Sequence, residues 1–305
     1  VALLLAAPQR DLQPLAASIR QLAPELDVRV WPQIGDPASV TFVVCWHQPP
    51  GLLKSLPGLK AASSLGAGVN HLLADPDLPS DLPVGRLAGQ RLAADLAAYL
   101  VGQVVPDWRQ LDRFDALQSV HYWQPFAPER PPVIGLLGYG SMGRKAAQAF
   151  SALDFPVLAC RRRPPDNDAS PARFVDIQTL AGESDYLICT LPLTRDTDGI
   201  LDAKLFAAMK PGSVLINVGR GEHLNENDLL EALRHGRPAK AILDVFRTEP
   251  LANDHPFWNH PAIRITPHCA SLTHTDEAAG LIVESYHRVI AGHPPLNAID
   301  RQLGY

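Results

Sequence analysis

Short apolar runs recur along the whole chain, each followed by a polar stretch with helical spacing or turn residues. In the first part they are Val1 to Ala6, Val28 to Trp31, Val40 to Cys45, Leu59 to Leu65 and Val84 to Leu87. That alternation is the punctuation of an α/β protein. A helical pattern follows from Arg91 to about Val105. The stretch Pro106 to Pro132, rich in aromatics, Pro, Gln and Asp, reads as a crossing element and arm between domains. From Val133 the alternation sharpens, with strands expected at Val133 to Leu137, Val157 to Cys160, Tyr186 to Thr190, Ser213 to Asn217, Ala239 to Asp244 and Ile263 to Thr266. Six such strands with helices between them suit a doubly wound parallel sheet. A helix-like segment from Thr275 to Ile290 is expected to return the chain to its first domain. The N-terminal domain is then discontinuous, residues 1–97 with 280–305, around a nucleotide-binding domain at 98–279.

Composition narrows the class. A chain of 305 residues, 46% apolar and 19% charged, is that of a globular protein large enough for two domains. A net charge of -5 supplies no basic field, so neither nucleic acid nor an anionic membrane is an expected partner. Cys45, Cys160, Cys189 and Cys269 are far apart and form no CxxC spacing, which argues against a disulfide framework or a metal site and for a reducing cytoplasm. The apolar opening, Val1 to Ala7, has no basic leader and ends at Pro8-Gln9-Arg10, so it reads as a first strand rather than a signal peptide.

The run Val133 to Leu137 leads into Gly138-Tyr139-Gly140-Ser141-Met142-Gly143, and the helix-forming Arg144 to Phe150 follows. In this G-x-G-x-x-G turn the first glycine permits the tight turn, the second lets backbone approach a pyrophosphate, and the third lets helix pack on strand. The phosphates would lie at a helix N-terminus, where unpaired N–H groups and the dipole favour anions. At the end of the next strand, about 20 residues on, an NAD enzyme usually places a carboxylate for the ribose hydroxyl. Here Arg161, Arg162 and Arg163 follow Cys160. Guanidinium groups bond a 2′-phosphate that a carboxylate would repel, so NADPH is the expected cofactor, although the same run could be a solvated basic patch.

Three further groups stand at or after expected strand ends: Arg220 in Asn217-Val218-Gly219-Arg220-Gly221, Glu249 before Pro250, and His268 after Thr266-Pro267. A 2-keto acid presents a carboxylate beside a carbonyl, and a fixed cation such as Arg220 can hold the one and polarise the other. Hydride arrival creates an alkoxide that needs a proton, and histidine, with an unperturbed pKa of about 6.5, is suited to give it. His268 is the candidate acid. Glu249 is the candidate carboxylate that orients it. Singly, each could be structural: an arginine bridging surface carboxylates, a glutamate capping a turn, a satisfied core histidine.

At these residues the chain resembles the D-isomer-specific 2-hydroxyacid dehydrogenases, and most closely their glyoxylate/hydroxypyruvate reductase A branch. The resemblance covers nearly the whole chain. It is carried by Leu65-Gly-Ala-Gly-Val69-Asn-His-Leu, Gly138 to Gly143, Leu191-Pro-Leu-Thr-Arg-Asp-Thr-Asp-Gly199, Asn217 to Gly221, Leu243-Asp-Val-Phe246 with Glu249-Pro250, and Thr266-Pro-His268. The branch is suggested by Trp46-His-Gln-Pro-Pro50, His121-Tyr-Trp-Gln-Pro125 and the ending Ile299 to Tyr305. It implies two Rossmann-like or flavodoxin-like parallel-sheet domains with a cleft between them, and a homodimer. It implies that backbone N–H groups of Gly68 and Val69 hold the substrate carboxylate with Arg220, and that Asp244 orients the nicotinamide carboxamide. Thr190, Leu191, Pro192, Thr197, Val218 and Gly219 would lie along the cofactor. The chain departs from the commonest pattern at Gly219, where alanine is usual, and carries Cys269 at a variable position. Trp46 is the residue whose bulk would favour small 2-keto acids. His47, His71, His121, His223 and His274 read as structural or solvent-facing.

The expected activity is therefore NADPH-dependent reduction of small 2-keto acids, glyoxylate to glycolate and hydroxypyruvate to D-glycerate. Two rivals share the fold: a nicotinamide-nucleotide-sensing, corepressor-like binding protein, and an NAD-dependent D-2-hydroxyacid dehydrogenase. The arginine run disfavours the second, and the lack of long polar tails disfavours the first.

Overall fold

The computed structural model describes residues 1–162 and 170–305. The chain divides into two compact units, Val1–Leu92 with Thr273–Tyr305, and Ala93–Leu272.

The first unit contains β1 (Ala2–Ala6), α1 (Gln13–Leu22), β2 (Asp27–Val30), β3 (Val40–Cys45), β4 (Ala61–Ser64), α2 (Asn70–Leu73) and β5 (Val84–Arg86), after which α3 (Gln90–Trp108) runs on into the second unit. The five strands pair in the order β2-β1-β3-β4-β5, all parallel. β1 and β3 are buried at every position, because a strand alternates its side chains between two faces and both faces are covered here. Leu3, Leu5, Phe42 and Val44 join Leu15 and Ile19 of α1 with Ala278 and Ile282 of the helix that returns near the C-terminus. Ala2, Leu4, Ala6, Val43 and Cys45 pack on the other side with Leu52, Leu53 and Leu72.

In the second unit α4 (Leu111–Ser119) precedes β6 (Ile134–Leu137), α5 (Ser141–Ser151), β7 (Val157–Cys160), β8 (Arg173–Phe174), α6 (Ile177–Glu183) and β9 (Tyr186–Cys189). Then come α7 (Ala203–Ala208), β10 (Val214–Asn217), α8 (Glu226–Arg234), β11 (Lys240–Leu243) and β12 (Ile263–Ile265), and α9 (Thr275–Ile290) lies back in the first unit. The same alternation splits this core: Ile134, Leu136, Ile188, Ile216 and Ile242 face one side, Leu137, Leu187, Cys189, Leu215 and Leu243 the other. Each fully buried Leu or Ile contributes about 1.5–3 kcal/mol. Three helices of this unit are capped as their sequences prescribe, by Asp176, Asp202 and Asn225 accepting from backbone N–H groups of the first turn.

The seven strands run in the order β12-β11-β10-β9-β6-β7-β8. The chain winds outward from β6 through β7 and β8, then restarts at β9 on the other side of β6. A crevice at the carboxyl ends of β6 and β9 is where such sheets bind ligands.

One expectation is refined and one corrected. The stretch read as a crossing element and arm, Pro106 to Pro132, contains helix. It holds the last turn of α3, a left-handed Gln110 at φ 52, and all of α4. A proline inside α3 and the lack of any buried residue on α4 erased the helical signal there. The second sheet also has a seventh strand, β8, which at two residues is too short to leave a pattern.

Candidate active site

The glycine turn, Arg161, Arg162, the Arg220 turn, Asp244 and His268 follow the carboxyl ends of strands of the second unit's sheet. After β6, Gly138 takes φ 106, a conformation that disfavours any side chain, and a Cβ at Gly143 would lie 2.3 Å from the Gly138 carbonyl oxygen. The turn and the helix it opens are thereby locked together, with Thr190 Oγ1 donating to Gly138 O at 3.0 Å. A Cβ at Gly140 would meet nothing within 4 Å. Its exposed backbone opens the N-terminus of the 11-residue α5, which fits a pyrophosphate. Ser141 is exposed and Met142 half-buried. Tyr139 turns its ring into the core against Phe174 and bonds Ser170, so what it can offer a ligand is backbone.

Arg161 and Arg162 follow β7 as expected, and Arg162 pairs with Asp196 at 3.4 Å on the surface. Arg163 lies outside the described residues. The loop after β9 is braced from within: Thr197 Oγ1 donates to Pro192 O at 2.7 Å and accepts from Thr194 N at 2.8 Å. Val218 N donates to Cys189 O at 3.2 Å, tying the loop after β10 to the end of β9.

His268 and Glu249 meet: Nδ1 to Oε2 is 2.7 Å, with each side chain about a third exposed, 34% and 35%. Glu249 also accepts from Phe246 N at 3.0 Å through Oε1. Burial pushes the Glu249 carboxyl upward, but the His268 and Phe246 bonds and the nearby Arg220 charge outweigh it and hold the group below its ordinary value. His268 itself sits at φ 50, a left-handed conformation that costs a side-chain-bearing residue about 1–2 kcal/mol. Asp244, buried at the end of β11, holds it there. Its carbonyl oxygen accepts from His268 N at 2.8 Å, and its carboxylate accepts from Thr266 Oγ1 at 2.6 Å and from the N–H groups of Cys269 and Ala270, each at 2.9 Å. Tyr99 completes the chain through a 2.7 Å bond to Thr266 Oγ1. Neither Tyr99 nor Thr266 stood out in the sequence as more than context. Asp244, 22 residues before Thr266 of the Thr-Pro-His run, has no spacing signal toward it, because β11 and β12 bring the two together only in the sheet.

Arg220 lies in a turn held by Asn217, whose Nδ2 donates to Arg220 O at 3.0 Å and whose Oδ1 accepts from Gly219 N at 3.1 Å. Its Nη1 donates to Gly219 O at 2.7 Å. Burial lowers the pKa of this guanidinium and the carboxylates of Glu222 and Glu249 raise it; a guanidinium remains charged under any such shift. His223 is wholly buried beneath the same turn, at 0% exposure.

Trp46, Gly68 and Val69 belong to the first unit. Trp46 follows β3, with the Arg10 guanidinium 4.7 Å from its ring centroid and His71 and His47 rings at 4.8 and 5.4 Å. It lies over Gly66, where a Cβ would come within 2.9 Å of the indole. Gly68 O accepts from Ser64 Oγ at 2.6 Å, which fixes the loop that carries Val69. Among the described residues no cluster of His, Cys, Asp or Glu could hold a metal ion, and no helix is long and apolar enough to cross a membrane.

The chain matches the family model described as the D-isomer specific 2-hydroxyacid dehydrogenase, NAD binding domain, over residues 101–270. It is 37% identical over 305 residues to a protein of Serratia proteamaculans named glyoxylate/hydroxypyruvate reductase A, covering 95% of each chain. Among solved structures, it is similar to a D-isomer specific 2-hydroxyacid dehydrogenase from Xanthobacter autotrophicus Py2 in complex with NADPH and MES, at TM-score 0.92 and 32% identity over 100% of this chain and 99% of that one. An NADPH-dependent glyoxylate/hydroxypyruvate reductase from Sinorhizobium meliloti, in complex with NADP and sulfate, aligns at TM-score 0.90 and 29% identity over 100% and 99%.

Proposed function

The chain belongs to the D-isomer-specific 2-hydroxyacid dehydrogenase family, and on that premise we propose that it is an NADPH-dependent reductase of small 2-keto acids, turning glyoxylate into glycolate and hydroxypyruvate into D-glycerate. The observation that carries the reading is the 2.7 Å bond between His268 Nδ1 and Glu249 Oε2, at the same sheet edge as the Arg220 turn and the glycine turn. The two solved relatives bound to NADPH and NADP support the cofactor assignment.

In the proposed reaction the residues Ala93–Leu272 bind the dinucleotide, with the pyrophosphate at Gly138–Gly143 and the 2′-phosphate at Arg161 and Arg162. Thr190, Leu191, Pro192, Thr197, Val218 and Gly219 line it, and Asp244 accepts from the nicotinamide carboxamide. NADPH, when bound, supplies the hydride to the carbonyl carbon. Arg220 holds the substrate carboxylate and draws charge toward the carbonyl oxygen, and in the first unit the Gly68 and Val69 amides serve as substrate-binding groups. Because Glu249 occupies Nδ1 of His268, the proton reaches the nascent alkoxide from Nε2. Glu249, kept ionised by its partners, fixes the ring and stabilises its charged form. Trp46 limits the space for the substrate's side chain.

We further propose a cytoplasmic homodimer. The four free cysteines suit a reducing compartment, and α4 with the residues after it leaves Val120, Tyr122 and Trp123 exposed at 68%, 59% and 95%, an apolar surface that a second copy would cover. The function is tested by incubating the protein with NADPH and hydroxypyruvate and resolving the product by chiral chromatography. D-glycerate is expected. L-glycerate, or NADPH binding without turnover, would favour a different enzyme or the nucleotide-sensing alternative.

A further inference from the structure

We propose that His223 is a positioning residue that fixes the backbone of Arg220 against the loop after β9, so that the substrate-binding guanidinium is held relative to the cofactor-lining residues. This rests on the reading of Arg220 as the carboxylate anchor. His223 has 0% exposure, and its ring adds a side-chain tie between the Arg220 turn and Pro192, beside the backbone bonds Val218 N to Cys189 O and Leu201 N to His223 O. Nδ1 accepts from Arg220 N at 3.0 Å, and Nε2 lies 3.3 Å from Pro192 O. Pro192 O is the same carbonyl that Thr197 Oγ1 holds. Cys189 Sγ at the end of β9 lies 3.7 Å from Nδ1.

The two contacts impose one tautomer. A backbone N–H faces Nδ1, so Nδ1 carries the lone pair; a carbonyl faces Nε2, so Nε2 carries the proton. A neutral imidazole satisfies both partners, whereas a protonated one would set a donor against the Arg220 N–H. Burial pushes the His223 pKa down to about 4, with the Arg220 charge adding to the effect and the Pro192 carbonyl opposing it, so the neutral form persists across the physiological range. No apolar residue could pair both groups, and no shorter amide could reach both. The fit is tight on the remaining side: a Cβ at Gly219 would stand 2.8 Å from His223 Nδ1 and 3.1 Å from Leu191 O. The glycine at 219 leaves the ring room beneath the turn.

Three variants separate positioning from bulk stability. His223→Asn keeps an acceptor near the Nδ1 position but falls short of Pro192 O. His223→Gln keeps a donor near the Nε2 position but loses the acceptor for Arg220 N–H. His223→Leu loses both. Loss of the bond to Arg220 should raise KM for glyoxylate by roughly tenfold, with a smaller change in kcat. The expected order is therefore wild type best, Asn and Gln impaired in KM because each has lost one end of the tie, and Leu worst. Equal KM in all four proteins, or losses that follow only the melting temperature, would overturn the proposal. If the wild type reduces no 2-keto acid, the functional reading fails and His223 is judged by the amide of Arg220 instead. Hydrogen exchange at that amide should be slow in wild type and Asn and fast in Gln and Leu; uniform exchange would overturn the positioning role independently of activity.

Discussion

His268 combines two features that ordinary packing does not require, a left-handed backbone at φ 50 and a 2.7 Å bond from its ring to a carboxylate. The backbone strain is sustained by Asp244, which spends both its carbonyl and its carboxylate on the segment 266–270. Replacing His268 by Ala should lower kcat by roughly 10²- to 10⁴-fold, the usual loss of a general acid, with NADPH affinity little changed. A folded variant with near-wild-type turnover would remove His268 from the mechanism. Arg220→Lys keeps the charge but loses the planar fork, so KM for the keto acid should rise while NADPH binding, followed by quenching of protein fluorescence, stays nearly constant. A parallel loss of both would point to a structural arginine. Arg220, Glu249 and His268 were legible in the sequence because each follows a strand in a short motif. Tyr99 and Thr266 were not, and His223 was read only as structural or solvent-facing, because their work is to hold other residues, and nothing in local spacing marks a partner 167 or 31 positions away.

The elements of the sheets were legible for a simple reason. β1, β3, β6, β9 and β10 are buried on both faces and appear as unbroken apolar runs, a signal that survives without knowledge of the topology. α4 and β8 left no such signal, the one because it buries none of its residues and the other because it has two. The amino ends of the strands in the second unit carry their own electrostatic tie. Asp185, just before β9, accepts from Arg130 at 2.7 Å, Lys210 at 2.5 Å and Val133 N at 2.8 Å. Burial opposes its ionisation, yet these donors hold its pKa at about 2. The folded-state value is thus depressed below the unfolded value of about 3.9, so the stability it contributes is present above pH ~4 and lost as pH falls toward ~2. After discounting for solvent screening the contribution is on the order of 1 kcal/mol. Asp185→Asn should destabilise the protein at neutral pH and flatten the fall in urea midpoint between pH ~4 and ~2. An unchanged acid profile in the variant would place the acid sensitivity elsewhere.

At the scale of the whole molecule, the sequence and the fold converge on a nucleotide-binding unit whose strand order places the glycine turn at a switch point, flanked by Arg161 and Arg162 where a carboxylate would suit NADH. Arg161→Asp with Arg162→Ser and Arg163→Ser should weaken use of NADPH by on the order of 10²-fold, the equivalent of two lost charged hydrogen bonds, and improve use of NADH. The proposed dimer is checked by sedimentation: Trp123→Asp should shift the wild-type species toward monomer, and an already monomeric wild type would contradict the partner-covered surface. The proposal as a whole stands most directly on one measurement, kcat/KM of the wild-type protein for glyoxylate and hydroxypyruvate with NADPH and with NADH. The account predicts turnover of both acids and a clear preference for NADPH; no turnover of either, or a preference for NADH, would contradict it.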